Sequence, residues 1–320
     1  MIMPSLLPSL FTFGTALLVA LVLIPLFHLL LAPFWGPCGI AVRTGFRSGL
    51  ASPSGVASRA GGVGVFLAVV ALVPTGGDGI AVNCGDTRLA LGMLLAAGLL
   101  VVGMTEDYRR LGSGARLATQ GAFALTAACA GLQPAGVAST FLACLAGAVI
   151  LVAAANALRG LDTVDGLAAG TGALAAAFLA LIAHRLGAPE CCDLNLGLSG
   201  ALLTLLGFNL SRSRFKVFLG EGGCLAVGFL LGVSLLLLSA PAPPATRSAL
   251  GLVLLLPLAD GLVTLGRHLR RGQPQGRESR DHLHDILLDC GLGWRQTLIL
   301  LWGAALVAGL ATLRLLHLLA

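Results

Sequence analysis

The sequence is short of charge. Only 11% of its 320 residues are Asp, Glu, Lys or Arg, against roughly 25% in a soluble globular chain. With 57% hydrophobic residues and a mean hydropathy of +0.95, that shortage excludes a soluble globular protein and defines an integral membrane protein. Aromatic residues are scarce as well. A single Tyr and three Trp leave little aromatic belt to mark the membrane interfaces. The eight Cys form no CxxC pair and no zinc spacing; most lie in apolar stretches as small hydrophobes. Cys191 and Cys192 are candidates for pairing with Cys84 if both lie outside. No Lys or Arg precedes the first apolar run, around Leu10–Leu31. It therefore lacks the basic n-region of a cleavable signal peptide and reads as a retained anchor. A pI near 9.2 raises the question of nucleic acid, but the basic residues follow membrane topology, and no nucleic-acid partner is expected.

What is present is a series of apolar runs. At about 20 residues per span, hydropathy and breaker signals predict an all-α, polytopic fold of about ten transmembrane helices, nine to eleven. The predicted spans are 9–32, 61–76, 88–105, 115–132, 138–157, 167–186, 194–209, 222–240, 247–266 and 294–317. Residues 1–320 read as one membrane-embedded domain. The 44 Gly, many inside spans, allow close helix approach. Assigning alternate loops to one side separates the charges. One face takes 16 of the 20 Lys and Arg and ten of the 14 Asp and Glu, leaving +6 there and zero opposite. By the positive-inside rule that face is cytoplasmic, and both termini lie outside.

Four loops on that face carry chemistry. Glu106 and Asp107 end span three, followed by Arg109 and Arg110. They are a base or cation-binding pair, or a solvated loop paired with its own arginines. After span five, Asn156 precedes Asp162, Asp165 and Gly166. An ionised carboxylate left unpaired at a membrane edge is costly, so such residues persist where they meet water, a cation or a substrate. If the helix continues, Asp162 and Asp165 share a face, which suits a metal–diphosphate site; Asp165 also suits an N-cap for span six. After span seven, Asn209, the basic residues to Lys216, and Gly220-Glu221-Gly222-Gly223 lead into a new helix. Glycines permit close backbone approach, and a helix N-terminus favours anions such as phosphate. After span nine, Arg280, His282, His284 and Asp285 suit phosphate or a metal. A phosphorylated substrate with magnesium is the economical common cause.

In order, these loops resemble those of the polyprenyl-phosphate N-acetylhexosamine-1-phosphate transferases, the membrane family that includes WecA, TagO and MraY. The correspondence runs through Glu106-Asp107, Asn156 to Gly166, Phe218 to Gly223 and Arg280 to Asp285. Arg59-Ala60-Gly61-Gly62 before span two and Pro257-Leu258-Ala259-Asp260 in span nine are similar too. The tract Asp281 to Leu288 is nearer the WecA-like branch. The resemblance covers about residues 42–300.

It implies transfer of a sugar-1-phosphate, N-acetylhexosamine-1-phosphate above all, from a UDP-N-acetylhexosamine to undecaprenyl or another polyprenyl phosphate. The products are a polyprenyl diphosphate sugar and UMP, an initiating step of cell-envelope polysaccharide synthesis. It also implies Mg2+, or Mn2+, as cofactor, the bacterial cytoplasmic membrane as location, and a possible homodimer. On this reading Glu221 and Asp107 lie near the metal, and Asp162 and Asp165 lie beside the diphosphate or nucleotide. Glu106 and Asp107 help deprotonate or orient the lipid phosphate. His282, His284 and Arg280 grip phosphate, while Asn156, Asn209, Lys216 and Gly220 position substrate.

This sequence departs from the family pattern in several places. Glu replaces Asp at 106 and 221, Arg159 replaces a second Asn, Thr163 replaces Gly, and Asp285 replaces His. A catalytically degenerate homologue that binds polyprenyl phosphate or acts as a scaffold is the alternative. A transporter is disfavoured, because the acids sit in loops on one face and no repeat is seen.

Overall fold

The computed structural model describes residues 6–35, 42–43, 56–72, 86–108, 112–211, 215–271 and 282–317. Each apolar run forms a helix, since in hydrocarbon the backbone N–H and C=O groups must pair within the segment. In chain order these are α1 (Leu6–Trp35), α2 (Gly61–Val70), α3 (Thr87–Tyr108), α4 (Ser113–Cys129), α5 (Thr140–Ala157), α6 (Leu167–Arg185), α7 (Pro189–Asn209), α8 (Gly220–Ser239), α9 (Leu255–Arg271), α10 (Leu283–Asp289) and α11 (Trp294–Leu315). Among the described residues, eight helices are long and apolar enough to cross a membrane. The protein is thus an all-α, multi-pass membrane protein. A helix lies at every predicted span, although α2 and α4 have only ten and 17 residues. Two-residue strands β1 (Val42–Arg43) and β2 (Val56–Ala57) pair antiparallel, with Val42 opposite Ala57.

Three differences from the predicted spans have local causes. Span nine opens with a 3₁₀ segment, Arg247–Leu254, before α9. Pro257 has no N–H and crowds the carbonyl four residues back, so regular α-helix starts afresh just ahead of it. Helix α7 starts five residues earlier than predicted, with Pro189 and Glu190 in its first turn, both favourable at a helix N-terminus. The short α10 was hidden inside a polar loop. Cys191 and Cys192 are buried on α7; their candidate partner Cys84 lies outside the described residues.

The centre of the bundle is α8, buried along nearly its whole length and packed against α3, α5 and α2. Small residues make this possible. A Cβ on Gly222 would sit 2.5 Å from the Leu100 carbonyl oxygen of α3, and one on Gly228 2.2 Å from the Ala154 oxygen of α5. Around this centre α6 packs on α7, and α7 on α1. Outward positions such as Leu94, Val101, Phe141, Val149, Ile299 and Val307 are exposed and apolar, a surface matched to lipid rather than water. The contacts described next bring the ends of α3, α5 and α7 and the starts of α2, α6 and α8 together at one end.

Candidate active site

The site is framed by a main-chain splice. Residues 58–62, leading into α2, run beside residues 216–219, leading into α8. The Ser58 N–H donates to the Lys216 carbonyl at 3.2 Å, and the Phe218 N–H to the Ser58 carbonyl at 2.8 Å. Further along, the Gly61 and Gly62 N–H groups donate to the Phe218 and Leu219 carbonyls at 3.0 and 2.9 Å. Gly220 follows at φ +78°, where a Cβ would lie 2.2 Å from the Arg59 carbonyl oxygen. Both facts require glycine. The Gly220 expected to position substrate is therefore accounted for by the backbone itself.

Two carboxylates close over the start of α8. Asp162 accepts the Leu219 and Gly220 N–H groups at 3.1 and 2.8 Å. Asp107 accepts the Glu221 N–H at 2.9 Å on one oxygen and Arg59 Nη1 at 3.1 Å on the other. Successive N–H groups at a helix start lack intrahelical partners. Here the protein's own acids take them, so this helix start, read from the sequence as a phosphate cradle, is filled at residues 219–221.

Asp162 and Asp165 do not share a helix face. Helix α5 ends at Ala157, a 3₁₀ turn spans Gly160–Thr163, Val164 is extended, and Gly166 takes φ +79°. The turn sends Asp162 to α8 and Asp165 to Lys216, the only lysine in the sequence. Lys216 Nζ lies 2.7 Å from Asp165 Oδ2, and both side chains are completely buried. Asn209, also buried, accepts the Gly166 N–H and donates to the Val217 carbonyl at 2.8 Å. These three side chains brace the loop before α8 against the turn after α5.

Arg159 is the cation of the acidic cluster. Its Nε donates to Glu221 Oε2, its Nη1 to Asn156 Oδ1 at 3.3 Å, and its Nη2 lies 4.0 Å from Glu106 Oε2. Asn156 is held in turn by Gln120 of α4, whose Oε1 accepts its amide at 2.6 Å. Glu106 and Asp107 are buried, and Glu106 Oε1 has no hydrogen-bond partner among the described residues. Magnesium was expected at Glu221 and Asp107. Arg159 meets Glu221, while Arg59 and the Glu221 N–H meet Asp107, and among the described residues no group of three or more His, Cys, Asp or Glu gathers as a metal cage. Water and substrate phosphate supply most of the six oxygens around Mg2+, but one or two carboxylates must be open to it, and here Glu221 and Asp107 are engaged by Arg159, Arg59 and the Glu221 N–H. The donor set as arranged does not fit a divalent cation.

The histidines lie against the same turn. His282 Nδ1 is 2.7 Å from Asp260 Oδ2 and 3.0 Å from Thr264 Oγ1, and Asp260 also accepts the Leu283 N–H at 2.7 Å. His284 Nε2 is 3.1 Å from Thr163 Oγ1 and 3.7 Å from Asp285 Oδ1. The two rings stack with centroids 5.4 Å apart and planes 8° off parallel. A Cβ on Gly160 would be 2.4 Å from His282 Cε1, so the histidine pair sits directly on the turn that carries Arg159 and Asp162. Arg280 lies outside the described residues. An apolar cavity of about 200 Å3 opens between α6, α7 and α11, lined by Gly170, Leu206 and Trp302 among others.

Every described site residue read from the sequence therefore belongs to one end of the bundle. Sequence reasoning missed Arg59 and Arg159 as ion-pair partners, Asp260 and Thr264 as the support of His282, and Gln120. The only signal for Gln120 was an amide inside an apolar run.

The sequence is similar to known proteins. Residues 89–239 match the family described as Glycosyl transferase family 4, a stretch that includes Glu106-Asp107, Asn156 to Gly166 and Phe218 to Gly223 and leaves Arg280 to Asp285 outside. The chain is similar to an undecaprenyl-phosphate alpha-N-acetylglucosaminyl 1-phosphate transferase of Escherichia coli (strain K12), 27% identical over 165 residues, covering 50% of this chain and 45% of the relative. A decaprenyl-phosphate N-acetylglucosaminephosphotransferase of Mycolicibacterium smegmatis is 28% identical over 188 residues, 51% of this chain and 45% of that protein. A probable undecaprenyl-phosphate N-acetylglucosaminyl 1-phosphate transferase of Bacillus subtilis (strain 168) is 24% identical over 254 residues, 76% and 69% respectively. The chain spans about half the length of the first of these relatives, 45%.

Proposed function

We propose that this chain is a phosphoglycosyltransferase of the bacterial cytoplasmic membrane. It moves a sugar-1-phosphate, N-acetylhexosamine-1-phosphate in the first instance, from a UDP-sugar to undecaprenyl or another polyprenyl phosphate. An oxygen of the lipid phosphate forms a bond to the sugar-bearing phosphorus, and the diphosphate bond to UMP breaks. The observation that carries this reading is the convergence of Glu106, Asp107, Arg159, Glu221, His282 and His284, from four separate segments, at one end of a membrane bundle. The names of the relatives supply the substrate classes. The charge count supports a cytoplasmic site with both termini outside.

In this scheme Arg59 and Arg159 offset phosphate charge, and planar guanidinium groups suit such oxygens. His282, oriented by Asp260, donates to a phosphate oxygen, with His284 stacked behind it. Glu106 is the group with an open oxygen to orient or accept a proton from the lipid phosphate. Asp162, Asp165, Asn209 and Lys216 are positioning residues that fix the mouth of α8. The apolar cavity beside α6 offers the lipid acceptor's hydrocarbon a neighbouring surface. No step is routed through magnesium.

The test is direct. Purified protein given undecaprenyl phosphate and a panel of radiolabelled UDP-N-acetylhexosamines, with and without Mg2+ or Mn2+, is expected to make a labelled lipid and release UMP. Glu106→Gln is expected to abolish turnover in a folded protein. One observation favours a second reading: Arg159 already neutralises Glu221. No product across the panel, with polyprenyl phosphate binding intact, establishes a lipid-binding scaffold instead.

A further inference from the structure

We propose that the Arg159 guanidinium stands in for a divalent cation in this protein, excluding Mg2+ and Mn2+ from the acidic cluster until that side chain is shortened. The inference concerns the site of the proposed transfer but stands on its geometry alone. Arg159 reaches three oxygen-bearing side chains at once: Glu221 through Nε, Asn156 through Nη1 at 3.3 Å, and Glu106 beside Nη2 at 4.0 Å. Two carboxylates and an amide oxygen converging from three segments is the donor set of a hard cation. Here a planar cation with fixed N–H directions occupies the space between them.

Three further observations show that this side chain is built in. It springs from the turn between α5 and the 3₁₀ segment, only three residues after the Asn156 it contacts. Asn156 is itself fixed by Gln120 at 2.6 Å and by the Val152 carbonyl at 2.9 Å, so a chain of contacts runs from α4 to Glu221. The participants are mostly shielded from water, with side-chain exposures of 19% for Arg159, 11% for Glu221 and 6% for Glu106. Carboxylates so placed need a counter-charge, and the Arg159 guanidinium supplies one. A dication entering the same space would meet that fixed positive charge at contact distance. The neighbouring Asp107 offers no escape, because Arg59 and the Glu221 N–H already hold its two oxygens.

The experiment reads metal occupancy rather than product. Mn2+ is titrated by electron paramagnetic resonance into the purified full chain, into Arg159→Asn, and into each protein with Glu221→Gln added. The wild-type protein is expected to bind Mn2+ no better than its Glu221→Gln counterpart. Arg159→Asn is expected to gain a site at least about tenfold tighter, equivalent to about 1.4 kcal/mol, which Glu221→Gln removes. Its melting temperature is then expected to rise with Mg2+ while that of the wild type stays flat. Glu221-dependent Mn2+ binding by the wild type overturns the proposal, and this comparison needs no Arg159 variant to fold. A folded Arg159→Asn protein that binds no Mn2+ overturns it too, since arginine is then not what keeps the ion out. Neither result depends on the donor panel, so failure of the transfer reading is seen separately.

Discussion

Two ion pairs in this protein have the same separation and opposite surroundings. Lys216 Nζ to Asp165 Oδ2 and Arg88 Nη2 to Asp86 Oδ2 both measure 2.7 Å. The first pair is fully enclosed beneath the mouth of α8. The second stands at the start of α3, with side chains 46% and 27% exposed. The difference teaches that contact distance says little about what a charge pair does. The enclosed pair must remain intact or leave an uncompensated charge where water cannot reach it. The open pair gains little over the hydration it gives up.

Breaking the enclosed pair is the largest expected effect. Lys216→Met is expected to destabilise the protein by about 3–5 kcal/mol, measured by thermal or denaturant unfolding in detergent. Adding Asp165→Leu is expected to return most of that loss, because the orphaned charge goes with it. A negligible cost for Lys216→Met alone would erase the contrast. An intermediate effect is expected where α2 and α8 meet backbone to backbone. A Cβ on Gly62 would lie 2.1 Å from the Gly223 Cα and 2.6 Å from the Leu219 carbonyl oxygen. Both are backbone atoms, so Gly62→Ala must part α2 from α8, at a cost of about 1–3 kcal/mol in the same unfolding assay.

The smallest effect belongs to the open pair. Asp86→Asn is expected to cost less than about 1 kcal/mol after solvent screening. The Arg88 hydrogen bond holds the Asp86 carboxyl below the ordinary aspartate value of 3.8. Its contribution is therefore present above that value and fades as pH falls through the lower folded one. Comparing wild type with Asp86→Asn across acid pH isolates this small term, and a difference that grew on acidification would have the wrong sign.

Much of this is legible in the sequence, and the limits follow one line. Helix positions could be read because burying a backbone in lipid leaves few choices. The acids, histidines and glycines around the site were legible as residues in an order. Their partners were not, because each partner lies on another element. The Asp162–Asp165 spacing looked like one helix face only while α5 was imagined to continue. Instead α5 ends at Ala157 and a 3₁₀ turn follows, with Gly160 packed on His282, more than a hundred residues away in sequence. Arg159 was visible as an unusual residue, yet nothing local revealed that its guanidinium would meet Glu221. The 3₁₀ opening of span nine was recoverable from Pro257, whose missing N–H is a local fact.

The setting of α8 has a mechanical consequence. At one end Asp162 and Asp107 hold its first amides, and at the other the Ser239 hydroxyl accepts the Ala135 N–H at 2.9 Å. Between them, Asn195 of α7 reaches Ser234 at 2.8 Å. A helix pinned at both ends and midway cannot slide along its axis by even one residue, about 1.5 Å, without losing contacts at both membrane faces. The depth of Glu221 in the bilayer is thus gauged from the far side of the protein as well as the near one.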